Sequence, residues 1–187
     1  TRENMTVSYT ADDEGFSYLG NAMKKLSEKL PAGSGKIYPF TAPKENLNEG
    51  FTSSSKVNYV AHCGTFAGSG YSYTGALRIL KVMLSYDYLW INIRVKGGAY
   101  GCMSGIGRSG EGYFVSYRDP EVKKSDDIYL GIPAYLENFE ADERTMTKYV
   151  IGTISDIDTP LTPSLQGSRG LSAWYSGVTD EMLKKER

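Results

Sequence analysis

Residues 88–117 (YLWINIRVKGGAYGCMSGIGRSGEGYFVSY) constrain the fold more strongly than any other stretch of this chain. The stretch begins with apolar and aromatic residues at helical spacing, and the cation Arg94 follows them. Gly97 and Gly98 then interrupt the helix, because glycine weakens helices and permits a sharp change of backbone direction. Tyr100 begins a glycine-rich strand, and turn residues at 108–111 return the chain as a second strand. The sequence therefore predicts a helix, a tight corner and a β-hairpin in direct succession.

Periodic patterns before this stretch predict one long helix and two strands. Apolar residues recur every three or four positions over 16–30, which predicts an amphipathic helix opened by Asp12 or the aspartate after it. Alternation predicts a short strand at 5–9 and a longer one within 48–66. The longer strand carries apolar residues on both faces and is expected to be covered on both sides. The proline-containing segment 36–46 is expected to be irregular.

Helix signals dominate the last third of the chain. Pro133 is expected to kink or restart the first of these helices, because proline cannot continue the helical hydrogen bonding. Since the strands are joined by a hairpin or by long helical connections, the fold class is predicted as α+β, a largely antiparallel sheet with helices packed on it. The length favours a single domain over 1–187. The predicted helix starts are Ser125, Asp142, Ser164 and Thr179.

Composition argues against two classes of partner. The net charge is −1, and the lysines and arginines are scattered, whereas nucleic-acid binders usually present a basic patch. The most apolar stretch, residues 83–93, is interrupted by Asp87 and Asn92 and is shorter than the roughly 18 residues that span a bilayer. We therefore expect neither a nucleic-acid nor a membrane partner.

Some residues match parts of nucleotide-binding or metal-binding motifs, but their surroundings in the sequence do not fit such sites. Residues 105–110 match G-x-G-x-x-G, but the next segment is a predicted strand, whereas a dinucleotide site needs a helix there. The chain has a single histidine, His62, so it cannot supply the usual zinc ligands. His62 and Cys63 are neighbours on a predicted strand and face opposite sides. Cys63 and Cys102 are expected to be buried thiols rather than a disulfide. No metal site is predicted in this chain.

Arg94 and Tyr100 leave two interpretations open. In the simpler one, Arg94 offsets the dipole at a helix C-terminus and Tyr100 packs on the sheet. In the other, the corner at Gly97 and Gly98 places the Arg94 guanidinium and the Tyr100 phenol at the same edge of the sheet. Both groups can donate hydrogen bonds to a peptide carbonyl or to developing negative charge. The glycines of the following strand would leave its backbone open to an extended peptide.

Four segments of the chain resemble the last domain of the presequence-protease branch of the pitrilysin/insulinase-type zinc metalloproteases. The resemblance extends from about Val57 to the C-terminus. It implies the metalloprotease last-domain fold, of the LuxS/mitochondrial-processing-peptidase-like type. In that family, four similar α+β domains close around a chamber in which unfolded peptides are degraded, and this chain would be a fragment corresponding to the last one. The segments are YLWINIRVKGGAYG, GYFVSYRDP, TKYVIGTISDIDTP and GVTDEMLKKER.

The resemblance also implies roles for individual residues. Arg94 and Tyr100 match the catalytic arginine and tyrosine of the family, and Gly97 and Gly98 would bind substrate beside them. The zinc would be bound by an H-x-x-E-H motif in a domain not present here, so the chain is expected to be inactive alone. Its expected partners are the N-terminal zinc-bearing half of the same protein and unfolded peptides. The expected compartment is the cytoplasm in a bacterium and the mitochondrion or plastid in a eukaryote.

Two alternatives use the same fold without catalysis. One is a structural or scaffold homologue that lacks a zinc-bearing half. The other is a free-standing peptide-binding module, for which the chain would have to begin naturally near its first residue. An upstream H-x-x-E-H would distinguish the peptidase from both of these alternatives.

Overall fold

The computed structural model describes residues 2–33, 38–39, 41 and 47–187. Most of the predicted irregular segment 36–46 lies outside these residues. None of the helices described is both long and apolar enough to cross a bilayer. A 3₁₀ turn, Arg2–Asn4, precedes the main elements. In order these are α1 Asp13–Lys29, β1 Asn58–Thr65, α2 Ala76–Met83, a π-helix Leu84–Val95, β2 Gly101–Ile106, β3 Glu111–Asp119, α3 Val122–Leu130, α4 Ile132–Glu137, α5 Glu143–Ile157, α6 Pro163–Ser176 and α7 Asp180–Glu186.

The described strands form one antiparallel sheet in the order β1-β3-β2. Strands β2 and β3 are the predicted hairpin, and β1 pairs with β3 along its whole length. The α+β class is therefore confirmed. The strand predicted at 5–9 does not form, because no strand among the described residues pairs with that segment to complete its backbone hydrogen bonds.

The two faces of this sheet differ in their environment. On the inner face, Val60 and Ser116 are buried beneath the π-helix and α3. A hydrogen bond of 3.0 Å between Ser85 and Ser104 ties the π-helix to β2. On the outer face, Tyr59 is 73% exposed, so the expectation that this strand is covered on both sides is wrong for the described chain. The buried core around the inner face consists of Val60, Leu84, Leu89, Ile93, Ala99, Tyr129 and Ile132.

The π-helix explains how the central helix packs. Leu84, Leu89 and Ile93 are its buried residues, spaced by five and then four positions. This spacing fits the wider turn of a helix whose hydrogen bonds join residues i and i+5. Trp90, which the ordinary helical period places beside the core, is 45% exposed. The prediction of a helix here is confirmed, but its apolar stripe differs because its turns are wider than those of an α-helix.

The described residues fall into two compact units. One unit comprises Thr1–Phe51 and Pro160–Thr179, and it holds α1 and α6. The other comprises Thr52–Thr159 and Asp180–Arg187, and it holds the sheet and the remaining helices. The organisation of residues 1–187 as a single domain stays a prediction.

Helix starts follow the predictions at Asp12, Asp142 and Thr179, whereas α6 is capped by Thr162 rather than by the predicted Ser164. The Asp12 carboxylate accepts from the Gly15 N–H at 2.9 Å, and the Asp142 carboxylate accepts from the Thr145 N–H at 2.7 Å. Each cap satisfies a donor that the first helical turn leaves free. Pro133 lies in the first turn of α4, which confirms the predicted restart.

The predicted start at Ser125 is wrong, because α3 already begins at Val122. Ser125 is instead buried inside the helix, and its hydroxyl donates a hydrogen bond to the Asp119 carboxylate at 2.5 Å. A serine followed by acidic residues is typical of a helix start, but a serine hydroxyl can equally donate a hydrogen bond to a buried carboxylate.

Candidate functional site

The π-helix ends in a widened corner that leads directly into β2. The Lys96 N–H donates to the Ile91 carbonyl at 2.9 Å, which closes the last wide turn. The Ala99 N–H then reaches back to the Ile93 carbonyl at 3.1 Å. Ala99 is buried, so the corner is anchored in the core on its inner side. The residues that follow Ala99 emerge at the edge of the sheet.

Both glycines at this corner are needed for the backbone path. A Cβ atom at Gly97 would lie 2.5 Å from the Ile93 carbonyl oxygen, closer than a side chain can pack. Gly98 has a φ of 81°, in the left-handed region that favours glycine. The structure places both residues at the predicted break between helix and strand. Their role in binding substrate stays a prediction.

Arg94 and Tyr100 lie at the same end of β2, one on each side of this corner. Arg94 is half-buried in the last turn of the π-helix, with its guanidinium 6.0 Å from the centroid of the Trp90 ring. Tyr100 is 58% exposed, and its N–H is shared between the carbonyls of Tyr117 at 3.2 Å and Arg118 at 3.3 Å. Within the part of the chain that the structure describes, Arg94 forms no ion pair with a carboxylate.

The structure adds a third residue that the sequence patterns did not indicate. The guanidinium of Arg118 lies 5.2 Å from the centroid of the Tyr100 ring. The segment YRDP contributed only to the family resemblance, because no local pattern shows that position 118 approaches position 100. The pairing of β2 with β3 brings these positions together.

Directly after Arg118, a buried carboxylate organises the end of β3. Asp119 is 1% exposed, and one of its oxygens accepts the Ser116 and Ser125 hydroxyls at 2.5 Å each. The other oxygen accepts the Glu121 N–H at 2.9 Å. Three donors compensate the removal of this carboxylate from water. Asp119 therefore joins β3 firmly to the start of α3 and fixes the position of its neighbour Arg118.

Tyrosine rings from β3 pack over two glycines of β2. A Cβ atom at Gly101 would lie 2.6 Å from the Tyr117 hydroxyl, and one at Gly105 would meet the Tyr113 ring. These pairs lie directly opposite each other in the hairpin. The expectation that the glycines leave the strand face open to another backbone is therefore wrong. A ligand on this face would meet tyrosine rings.

His62 contacts an aspartate, and Cys63 and Cys102 are not joined by a disulfide. His62 Nε2 lies 2.5 Å from an Asp126 oxygen on the inner face, while Cys63 is exposed on the outer face, as their alternation predicts. Cys63 is thus not the buried thiol that was expected. Cys102 is half-buried, and burial raises the pKa of its thiol to about 11. Among the described residues, no group of His, Cys, Asp and Glu side chains could hold a metal ion.

Two further arginines form a cluster with a glutamate beside the turn of the hairpin, at the end away from the corner. Arg108 donates to Glu186 of α7 through Nε at 2.7 Å and through Nη2, and Arg78 Nη2 lies 3.4 Å from the same carboxylate. The Glu186 side chain is 11% exposed. The hydrogen bonds from Arg108 lower the pKa of Glu186. This cluster attaches the last helix to α2 and to the hairpin turn.

Comparisons with known proteins relate the chain to one family. Residues 48–187 match the family model described as the PreP C-terminal domain. The chain is 42% identical to Protein HypA of Clostridium perfringens, covering 98% of this chain and 19% of that protein. It is 33% identical to Presequence protease 1, chloroplastic/mitochondrial, of Arabidopsis thaliana, covering 100% of this chain and 17% of that protein. It thus spans less than a fifth of the length of these relatives.

Proposed function

The chain belongs to the PreP C-terminal domain family, and from this membership we propose that it supplies the substrate-binding side of a peptidase active site. As a member, it is a peptidase-associated C-terminal domain. The proposal adds the identity of the site: Arg94, Gly97, Gly98 and Tyr100. It also adds the ligand, an extended segment of an unfolded peptide.

The main support for the proposal is that Arg94, the arginine at the corner, contacts a ring and is not neutralised. Arg94 lies against the Trp90 ring and has no carboxylate partner among the described residues. A guanidinium that lies over a ring keeps the N–H donors in its plane available for other acceptors. The exposed phenol of Tyr100 lies on the other side of the same corner. This end of the sheet therefore presents two kinds of donor to a ligand.

These donors suit the chemistry of peptide cleavage. Negative charge develops on the carbonyl oxygen of the scissile bond as it is attacked, and fixed donors that face that oxygen stabilise the transition state. We assign this role to Arg94 and Tyr100 as the catalytic residues of this chain. The corner at Gly97 and Gly98 carries no side chains, so it allows a peptide backbone to approach closely.

The zinc of this family is proposed to belong to another domain of a longer protein. The described residues provide no set of ligands for it, so the chain is expected not to cleave peptides alone. Its proposed partners are accordingly the zinc-bearing N-terminal half of the same protein and unfolded peptides. The proposed compartment is the cytoplasm in a bacterium and the mitochondrion or plastid in a eukaryote.

Kinetics of the longer protein test the proposal. Arg94→Ala and Tyr100→Phe should each lower kcat/KM for an unstructured peptide by about 10²-fold, as expected for losing one donor to the transition state. Lys96→Ala is the matched control, because Lys96 is an exposed cation at the same corner. It should leave kcat/KM within about twofold of the unchanged protein. Unchanged kinetics in both Arg94→Ala and Tyr100→Phe would refute the assignment.

A further inference from the structure

Arg118 has an unusual backbone conformation. Its φ is 48°, and it is the only non-glycine residue with a positive φ in the part of the chain that the structure describes. Side chains crowd the backbone in this left-handed region, so arginine adopts it at a cost in stability that glycine avoids. The fold alone would therefore be served better by glycine at this position.

An irregularity in the sheet holds Arg118 in this conformation. Asn58 pairs with Asp119 and Tyr59 pairs with Tyr117, so Arg118 has no partner on β1 and forms a bulge. Such extra residues re-aim side chains at sheet ends and next to active sites. The buried, triply bonded carboxylate of Asp119 fixes the chain immediately after the bulge.

The bulge brings Arg118 against Tyr100 in two ways. The Arg118 carbonyl accepts from the Tyr100 N–H at 3.3 Å, and the Arg118 guanidinium lies 5.2 Å from the Tyr100 ring centroid. The same residue therefore holds both the backbone and the ring of Tyr100. The Tyr117 ring also contacts the Tyr100 ring, and their centroids are 5.6 Å apart.

We propose that Arg118 is a positioning residue for Tyr100. Its cation lies over the aromatic ring and restricts the rotation of an otherwise exposed side chain. The phenol is then held in one orientation before substrate arrives, which is the condition for effective transition-state stabilisation. This inference rests on the proposed function, because it assumes that Tyr100 acts on substrate.

Three substitutions at position 118 in the longer protein test the inference. Arg118→Gly removes the cation and relieves the left-handed backbone, so the melting temperature should be equal or higher. Its kcat should nevertheless fall about threefold, with KM nearly unchanged, as expected for losing one exposed cation over a ring. Arg118→Lys should recover most of kcat, since an ammonium can occupy the same place. Arg118→Met, of similar length without charge, should not.

Substitution of the tyrosine separates this inference from the proposed function. In a Tyr100→Ala background, Arg118→Gly should cause no further loss of kcat, because its effect acts through the ring. If Tyr100→Phe lowers kcat/KM while Arg118→Gly leaves kcat unchanged, the positioning role is wrong and the proposed function stands. An equal loss from Arg118→Gly with and without Tyr100 also overturns the positioning role. If neither Tyr100 nor Arg118 affects kinetics, the positioning role is wrong, and the proposed function also fails if Arg94→Ala is without effect.

Discussion

Arginines from neighbouring elements lie beside both ends of strand β2, and the two sets have different partners. At the turn end, Arg78 and Arg108 converge on the nearly buried carboxylate of Glu186. At the corner end, Arg94 lies against Trp90 and Arg118 against Tyr100, and neither has a carboxylate partner among the described residues. Arg108 also lies 5.4 Å from the Tyr73 ring, so the carboxylate makes the difference rather than the ring.

Under the proposed function, this difference separates the arginines that stabilise the fold from those that act on a ligand. A guanidinium paired with a carboxylate has its charge neutralised and several of its donors occupied. A guanidinium over a ring remains charged and keeps donors in its plane available. The turn end of the hairpin therefore contributes to holding the fold together. The corner end keeps its charge unneutralised, so under the proposed function substitutions there should reduce activity more than stability.

The largest expected loss of stability comes from altering the backbone of the corner. Gly97→Ala would place a methyl group 2.5 Å from the Ile93 carbonyl oxygen, and a backbone atom cannot move aside as a side chain does. We expect the free energy of unfolding to fall by about 3 kcal/mol in urea denaturation. Gly112→Ala is the control, because a Cβ atom there has its nearest neighbour 3.8 Å away. Equal stability of both variants would show that the corner is not tightly packed.

The carboxylate at the turn end should have the next largest effect. Glu186→Gln leaves two partly buried guanidinium groups without a counter-charge, so we expect a loss of about 2 kcal/mol in the free energy of unfolding. Glu181→Gln on the same helix is the control, because Glu181 is exposed and should change stability by less than about 0.5 kcal/mol. If Glu186→Gln is as stable as the control, the two ends of β2 do not differ as described.

The contribution of Glu186 should depend on pH. Hydrogen bonds from Arg108 lower the pKa of this carboxyl in the folded chain. Its stabilising effect is then complete above the ordinary glutamate pKa of about 4.3 and is lost as the pH falls through the lower folded value. The difference in unfolding free energy between the unchanged chain and Glu186→Gln should shrink in urea titrations below about pH 4. A difference that stays constant down to about pH 3 would contradict the lowered pKa.

The smallest change in stability is expected at the arginine of the corner. Arg94→Met keeps the length of the side chain over Trp90 and removes the charge. We expect the free energy of unfolding to change by less than about 0.5 kcal/mol, although the same position governs kcat/KM under the proposed function. A loss comparable to that of Glu186→Gln would mean that Arg94 is mainly structural.

Much of the fold could be predicted because local chemistry determines it. The hairpin, the break at Gly97 and the helix cap at Asp142 each depend on a few adjacent residues with strong backbone preferences. The strand at 5–9 and the helix start at Ser125 were predicted by the same reasoning and are wrong. In both cases tertiary context decides the outcome: residues 5–9 pair with no strand that the structure describes, and the Ser125 hydroxyl donates to a carboxylate from another element.

The candidate site was predictable only in part for a related reason. Arg94 and Tyr100 flank one corner, so their neighbourhood follows from the sequence. Arg118 reaches Tyr100 through the register of a hairpin and through a bulge opposite Asn58. A pattern of single residues does not encode that register, because the bulge arises from pairing with a distant strand.

The wide helix before the corner has a consequence for how long this segment must be. A residue removed between Leu84 and Ile93 would be absorbed if a wide turn tightened to an ordinary α-helical turn, because the wide turn holds about one residue more. Arg94 would then keep its side of the helix. A residue inserted there would have no further turn to widen and would rotate Arg94 by about 100° away from the corner. The segment should therefore tolerate a deletion better than an insertion.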